Sequence, residues 1–267
     1  MRRISVFVTG MMGFASLLCP TLQAGDAVGR PESSTPLWSC WEGEFRALAD
    51  TSPKTQLSLK LTSPSGKQRT LQGFWDGGRI WRARVMPDEQ GVWKYQTKSR
   101  PSVKGLDGIG GQFECGPARG DSRFARHGAI RVAAAGTYLE HADGTPFFWL
   151  GDTVWNGPIL STKSDWTKYL HDRVAKKFTV VQHNAVAPWR TAATDELGQV
   201  AFTSQNHGGP IKLNPAYFQR LDQRINAIND AGLVAAHVLI WSLTDHDPGK
   251  YLSEKDIIQL VRYQIAR

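Results

Sequence analysis

Cysteine is scarce in this chain, with three in 267 residues, and Cys19, Cys40 and Cys115 stand far apart. No two Cys or His lie together at ligand spacing, which argues against a structural zinc site. The Asp245-His246-Asp247 run has no further cluster at ligand spacing to complete a metal site. Gly-x-Ser-x-Gly is absent, so a small α/β hydrolase built on a nucleophile elbow is not expected. Basic residues outnumber acidic ones, 32 to 24, but they are scattered, and no basic run is interleaved with aromatics as a nucleic-acid surface requires. Beyond residue 24 no apolar run is long enough to cross a bilayer. The expectation is therefore no cofactor, no metal and no nucleic-acid partner.

What the chain does have is ten Trp and 41% hydrophobic residues, enough to bury one or two cores. Arg2-Arg3, an apolar run over 4–18 and Leu22-Gln-Ala24 have the order and length of a signal peptide, expected over residues 1–24. The run is short for a membrane span, and Leu18 before Cys19 is larger than a lipoprotein site prefers. The mature protein is thus expected to be secreted or periplasmic, with no membrane span. Removing Arg2 and Arg3 leaves a formal charge of +6, read as a solvated surface with weak affinity for anionic polysaccharide. In an oxidising compartment Cys40 and Cys115 either form a disulfide or stay as two buried thiols. The bridge would close about 75 residues and contribute roughly 4 kcal/mol on a chain-entropy basis.

Residues 25–37 read as a linker, and the periodicity of the remainder divides it in two. Over 38–118, short alternating segments such as Gln56-Leu-Ser-Leu-Lys-Leu61 and Ile80-Trp-Arg-Ala-Arg-Val85 are separated by Gly, Pro and Asp turns. This predicts an antiparallel β-sandwich. A connector with short strands is expected over 119–145. From Pro146 the pattern becomes apolar strand (147–151), helix (164–177), strand (178–182), a long Gly/Thr/Asn/Pro-rich excursion (185–213), helix after Asn214-Pro215, strand (233–241), and a helix opened by Ser253-Glu-Lys-Asp256. Continuous apolar strands alternating with helices predict a parallel sheet covered by helices. Three such units over 146–267 are too few for a (β/α)8 barrel, which takes about 250 residues. The chain therefore reads as cut off inside a barrel; a complete three-stranded α/β layer is the alternative, disfavoured by its open edge.

Ligands of parallel α/β folds meet the carboxyl ends of the strands. In Pro146-Phe-Phe-Trp-Leu-Gly-Asp-Thr-Val-Trp-Asn156 the apolar run breaks at Gly151, which predicts a buried strand ending there with Asp152 and Trp155 facing a polar ligand. The second strand offers Gln182 and His183 with Asn184, the third Trp241 and Asp245 with His237 and His246. The excursion offers Trp189, with Arg190 and His207. Carboxylate, amide, imidazole and indole groups suit a sugar, whose hydroxyls take paired hydrogen bonds while its apolar face stacks on an aromatic ring. Each residue also has a plainer reading: Asp152 as a turn acceptor, Trp155 and Trp241 as core, His237 as a buried strand histidine.

Asp143-Gly-Thr-Pro-Phe-Phe-Trp-Leu-Gly-Asp-Thr-Val-Trp155, with Tyr169-Leu-His-Asp-Arg173 and Lys177-Phe-Thr-Val-Val-Gln182, resembles the start of the apiosidase-like glycoside hydrolases, secreted bacterial (β/α)8 barrels. Gly73-Phe-Trp-Asp-Gly77, Trp81-Arg-Ala-Arg84, Gly91-Val-Trp-Lys-Tyr95, Leu106-Asp-Gly108 and Gly111-Gln-Phe113 resemble the β-sandwich module that precedes such barrels. Thr179 departs from the Gly or Asn more usual after the aromatic. The resemblance implies a multidomain β plus α/β chain, a sandwich followed by the first three βα units of a TIM barrel. It also implies hydrolysis of polysaccharide side chains by two carboxylates, and Asp152, Trp155 and Gln182 as substrate-binding positions. The catalytic carboxylates would follow the fourth and seventh strands, so no catalytic residue is carried over. Hydrolysis needs two carboxyl groups about 5 to 9 Å apart, and nothing in the sequence sets Asp152 and Asp245 up as that pair. The rival reading is a non-catalytic carbohydrate-binding or surface-adhesion protein using Trp38, Trp75, Trp81 and Trp93 as a platform.

Overall fold

The computed structural model describes residues 34–186, 194–204 and 210–267. The expected signal and most of the expected linker lie outside them, as do Trp189, Arg190 and His207. Eight strands come first: β1 (Ser34–Pro36), β2 (Trp41–Arg46), β3 (Gln56–Thr62), β4 (Gln68–Gln72), β5 (Phe74–Gly77), β6 (Ile80–Val85), β7 (Gly91–Arg100) and β8 (Gly110–Gly116). They form a five-stranded sheet, β1-β8-β7-β3-β4, and a three-stranded sheet, β2-β6-β5. The pairing is antiparallel except for β1 beside β8. Alternation decides what lies between them. Leu57, Leu59 and Leu61 of β3 meet Trp41, Phe45 and Trp81 of the smaller sheet and Trp93 and Phe113 of the larger. Trp41 stacks on Phe113 with centroids 4.4 Å apart. Burial of each of these side chains contributes about 1.5–3 kcal/mol.

That packing corrects two expectations. Trp81 and Trp93 are fully buried, with indole N–H groups donated to the Thr55 and Glu89 carbonyls, so the four tryptophans form no surface platform. Cys40 and Cys115 are free thiols. Cys115 points inward from β8 of the large sheet, whereas Cys40 is exposed just ahead of β2 in the small one.

The connector holds α1 (Arg123–His127), β9 (Ile130–Val132), β10 (Leu139–His141) and β11 (Pro146–Phe147), the strands forming an antiparallel sheet in the order β11-β10-β9. Next come β12 (Gly151–Trp155), α2 (Gly157–Leu160), α3 (Lys163–Ala175), β13 (Val180–Asn184), β14 (Phe202–Ser204), β15 (Ile211–Leu213), α4 (Pro215–Asp230), β16 (Val234–Val238), α5 (Pro248–Tyr251) and α6 (Glu254–Ala266). β12, β13 and β16 make a parallel sheet with β13 central. The excursion after β13 contributes the β14-β15 hairpin. The architecture is a β-rich N-terminal region followed by a partial α/β domain.

The start of the first parallel strand is shifted from its expected place. Gly151 opens β12 instead of closing an apolar strand, because Pro146–Phe147 pairs with β10 and Phe148 and Trp149 are exposed. Thr179 explains that junction. Its hydroxyl donates to the Phe148 carbonyl at 2.6 Å and accepts the Leu150 N–H at 2.9 Å, fixing the entry to β12 in a way that Gly has no side chain to do.

The helices start where their caps require. Thr162, Asn214 and Ser253 accept backbone N–H groups of the first turns of α3, α4 and α6. Asp256 does not close a capping box: its carboxylate takes the Ser253 hydroxyl and the Ile211 N–H, tying α6 to β15. Trp166 and Leu170 of α3 and Ile228 of α4 pack on Val181 beneath the sheet.

The small sheet of the sandwich docks on α4 and α6 through charges. Arg84 bridges Glu42 and Asp222, and Arg267 bridges Asp76 and Asp222. Asp76 also accepts from Arg82 and Gln219. Phe74 packs edge-on to Tyr263 beneath this network.

Candidate functional site

Register and pleat assign each strand residue to one of two faces. Asp152 pairs with Val181, and both face the helices: Val181 packs on α3 and α4, and the Asp152 carboxylate accepts from the Tyr169 hydroxyl and the Arg173 guanidinium, each at 2.9 Å. Burial first, then the Asp152 carboxylate, push the Tyr169 phenol up. Asp152 thus holds α3 against β12 and does not look into a cleft. Replacing it by Asn should lower stability by about 1 kcal/mol, as expected for a part-exposed ionic hydrogen bond, and leave sugar affinity unchanged; thermal melts and a binding titration measure the two effects separately.

His183 lies on the same helix side. It is fully buried, its ring 4.6 Å from that of His237 in an edge-to-face contact. Nδ1 is 2.9 Å from the Asn184 carbonyl, which makes it the protonated nitrogen. Burial, then His237, bring its pKa down to about 4. A neutral imidazole in this position belongs to the core, not the rim.

The opposite face carries Thr153, Gln182 and Ala236 in one register row, with the Gln182 amide 3.5 Å from the Thr153 hydroxyl. One step further, the register slips between Thr153 and Trp155 and places Trp155 opposite His183. Trp155 has φ of +48°, a left-handed backbone that costs a bulky residue about 1–2 kcal/mol. The turn directs its indole to the carboxyl end of the sheet, where it meets Trp241 edge-to-face at 5.2 Å and stays 39% exposed. Between the two outer strands, the buried Asn184 amide donates to the Asn156 side-chain oxygen at 2.9 Å. The Asn184 side-chain oxygen has no partner among the described residues.

The loop beyond β16 is shaped by Asp247, whose carboxylate takes the Leu243 and Thr244 N–H groups. Gly249 donates its N–H to the Trp241 carbonyl, and a Cβ there would stand 2.7 Å from that oxygen. The site thus needs glycine at 249. Asp245 and His246 are exposed on the same loop. Of the residues chosen from sequence, the structure brings Trp155 and Trp241 into contact and keeps Gln182 beside Thr153 on the face away from the helices. It turns Asp152 and His183 away and leaves Asp245 alone. Asn156 was not singled out by sequence, and the break at Gly157-Pro158 right after Trp155 was the available signal.

The loops after β12 and β13 are joined by two arginines of α4. Arg220 donates to the Ile159 and Ser161 carbonyls and pairs with Asp195 and Glu196. Arg224 donates to the Ser161 carbonyl and pairs with Glu196.

None of the curated proteins compared with the chain matches it. Among solved structures, a Bacteroides vulgatus protein provisionally assigned as a glycoside hydrolase is 24% identical, with a TM-score of 0.62 over 76% of this chain and 40% of that one. A glycoside hydrolase family 5 protein from the same organism is 26% identical over 43% of this chain and 25% of that one, with a TM-score of 0.37. The chain therefore spans less than half the length of these structures. Residues 34–100 match a domain of unknown function, DUF5060. Residues 133–267, half of the chain, match the apiosidase-like catalytic domain, and the chain belongs to the apiosidase-like family.

Proposed function

We propose that this chain is the amino-terminal part of a secreted glycoside hydrolase acting on polysaccharide side chains, made of a β-sandwich and the first three βα units of a (β/α)8 barrel. The observation that carries it is Trp155, 39% exposed and edge-on to Trp241, at the carboxyl end of the parallel sheet. An indole offers a stacking plane to the apolar face of a sugar. Secretion, to the periplasm or the medium, rests on the leader-like residues 1–24.

The two carboxylates that hydrolysis requires are proposed to lie on barrel strands outside these 267 residues. Asp152 is committed to Tyr169 and Arg173, Asp247 to backbone N–H groups, and Asp245 stands on an exposed loop. By itself the chain should bind sugar without cleaving it. Titrating it with plant and bacterial cell-wall oligosaccharides should quench tryptophan fluorescence, and Trp155→Ala should weaken the affinity about tenfold or more, the scale of one lost aromatic anchor. Glycan release by the isolated chain, or binding unchanged in Trp155→Ala, would refute this. The adhesion alternative loses Trp81 and Trp93, which are core, from its four-tryptophan platform.

A further inference from the structure

We infer that the outer face of the large sandwich sheet is a second, independent binding surface, fitted to an extended carboxylate-bearing polysaccharide. The pleat sends Lys60 of β3 and Lys94, Lys98 and Arg100 of β7 to solvent, and all four are exposed. None has an acidic partner among the described residues. The small sheet is the contrast: Arg82 is held by Asp76, Glu42 and Glu44, and Arg84 by Glu42 and Asp222. One face of the sandwich is thus neutralised and docked on α4 and α6, while the four cations of the other face are in no ion pair among the described residues. Glu114, opposite Val92, is the acid on this face, and Asp107, near Lys98, is occupied by the Ser99 N–H and the Ser102 hydroxyl.

The register sets what surrounds the cations. Lys60 pairs with Gln96, Lys98 with Ser58, Arg100 with Gln56, and Lys94 with Thr62 on one side and Gln112 on the other. Every cation therefore has an amide or hydroxyl beside it, and successive outward residues of β7 recur about every 6.8 Å. Cations alternating with neutral hydrogen-bonding groups complement a polymer that alternates carboxylates and hydroxyls. No aromatic side chain points outward from these positions to stack a base, and Val92 alone is an exposed apolar group of the kind a membrane surface would take up. Charge complementarity thus selects an acidic glycan over nucleic acid or lipid. This surface does not depend on the reading of the rim around Trp155.

Affinity electrophoresis of the intact chain tests it. Gels containing polygalacturonate should retard the protein and gels containing neutral dextran should not, with retardation falling steeply toward about 0.15 M ionic strength as surface charges are screened. The combined Lys60→Glu, Lys94→Glu and Lys98→Glu variant should lose about tenfold or more in apparent affinity, a scale set by phosphate-like multi-site charge binding. Lys→Arg at the same three positions should retain it. All three side chains are exposed, and a thermal melt of each variant verifies folding. Unchanged retardation of the Glu variant overturns the inference, as does binding to duplex DNA or to phosphatidylglycerol vesicles as tight as to polygalacturonate at equal ionic strength.

Discussion

Asp76→Ala should loosen the sandwich from the α/β domain and lower stability by about 1.5–3 kcal/mol, the scale for losing charge-assisted hydrogen bonds while the partner guanidinium groups keep other acids. The Asp76 and Arg267 side chains are only 7% and 4% exposed. Asp76 gathers Arg82, Arg267 and the Gln219 amide, so its loss leaves the buried Arg267 with Asp222 as its remaining acid while Arg82 keeps Glu42 and Glu44. The same contact makes the protein acid-labile. Burial pushes the Asp76 carboxyl up, but Arg267, Gln219 and Arg82 outweigh it and hold it below the usual carboxylate value. The unfolded chain binds that proton near pH 3.9, so this contribution is present above that pH and is lost as pH falls through the lower folded value. His183 acts earlier. Its folded pKa of about 4 lies below the unfolded value near 6.5, so the unfolded state gains a proton first and up to about 3 kcal/mol disappears between those limits. Calorimetry should show stability declining from pH 6.5 downward in the native chain. Asp76→Ala should reduce the decline below about pH 4, and a His183→Gln variant the decline above it.

Much of the fold is legible in the residues because single faces are buried. Every second position of Gln56–Thr62 is Leu since one side of β3 meets the other sheet, and Asn214-Pro215 announces α4 because a cap and a fixed φ stand side by side. Legibility fails where tertiary pairing overrides the local pattern. Pro146–Phe147 reads as part of an apolar run, yet its backbone groups are taken by β10, and Thr179 re-aims the chain before β12 begins. The sandwich itself shows both sides of this. Alternation places Trp81 and Trp93 inside, while the disulfide alternative depended on a distance that no one-dimensional spacing contains.

The rim was legible by residue type and not by direction. A Gly-Asp-Thr-x-Trp segment at a sheet edge signals a site, but whether Asp152 or Thr153 faces the ligand depends on the pleat, and one residue of shift in the strand start reverses the answer. Trp155 escapes that alternation through its left-handed backbone and the register slip beside it. Asn156 and Asn184 are 28 positions apart and become a pair only once β12 and β13 align.

Arg220→Ala should release the loops after β12 and β13 together. Its guanidinium is 11% exposed, and it holds the last turn of α2 through the Ile159 and Ser161 carbonyls while it neutralises Asp195, itself 1% exposed, and Glu196. Removing it leaves the Asp195 carboxylate buried without that charge, which costs about 3–5 kcal/mol. Asp195 also orders its own turn through the Leu197 and Gln199 N–H groups, so the loss spreads along 194–204. Hydrogen exchange should accelerate in 157–161 and 194–204 and stay unchanged in β3 and β7 of the sandwich, which share no contact with this clamp. Because Trp155 and Asn156 sit directly before α2, sugar affinity should fall as the rim loses its fixed geometry, even though Arg220 touches neither indole. Arg220→Lys would keep the charge and lose the fork that reaches two carbonyls at once, so it should recover part of the stability and little of the affinity. Equal protection of 157–161 in the native chain and in Arg220→Ala would show that α2 is held by its own packing on β12, with the arginine incidental.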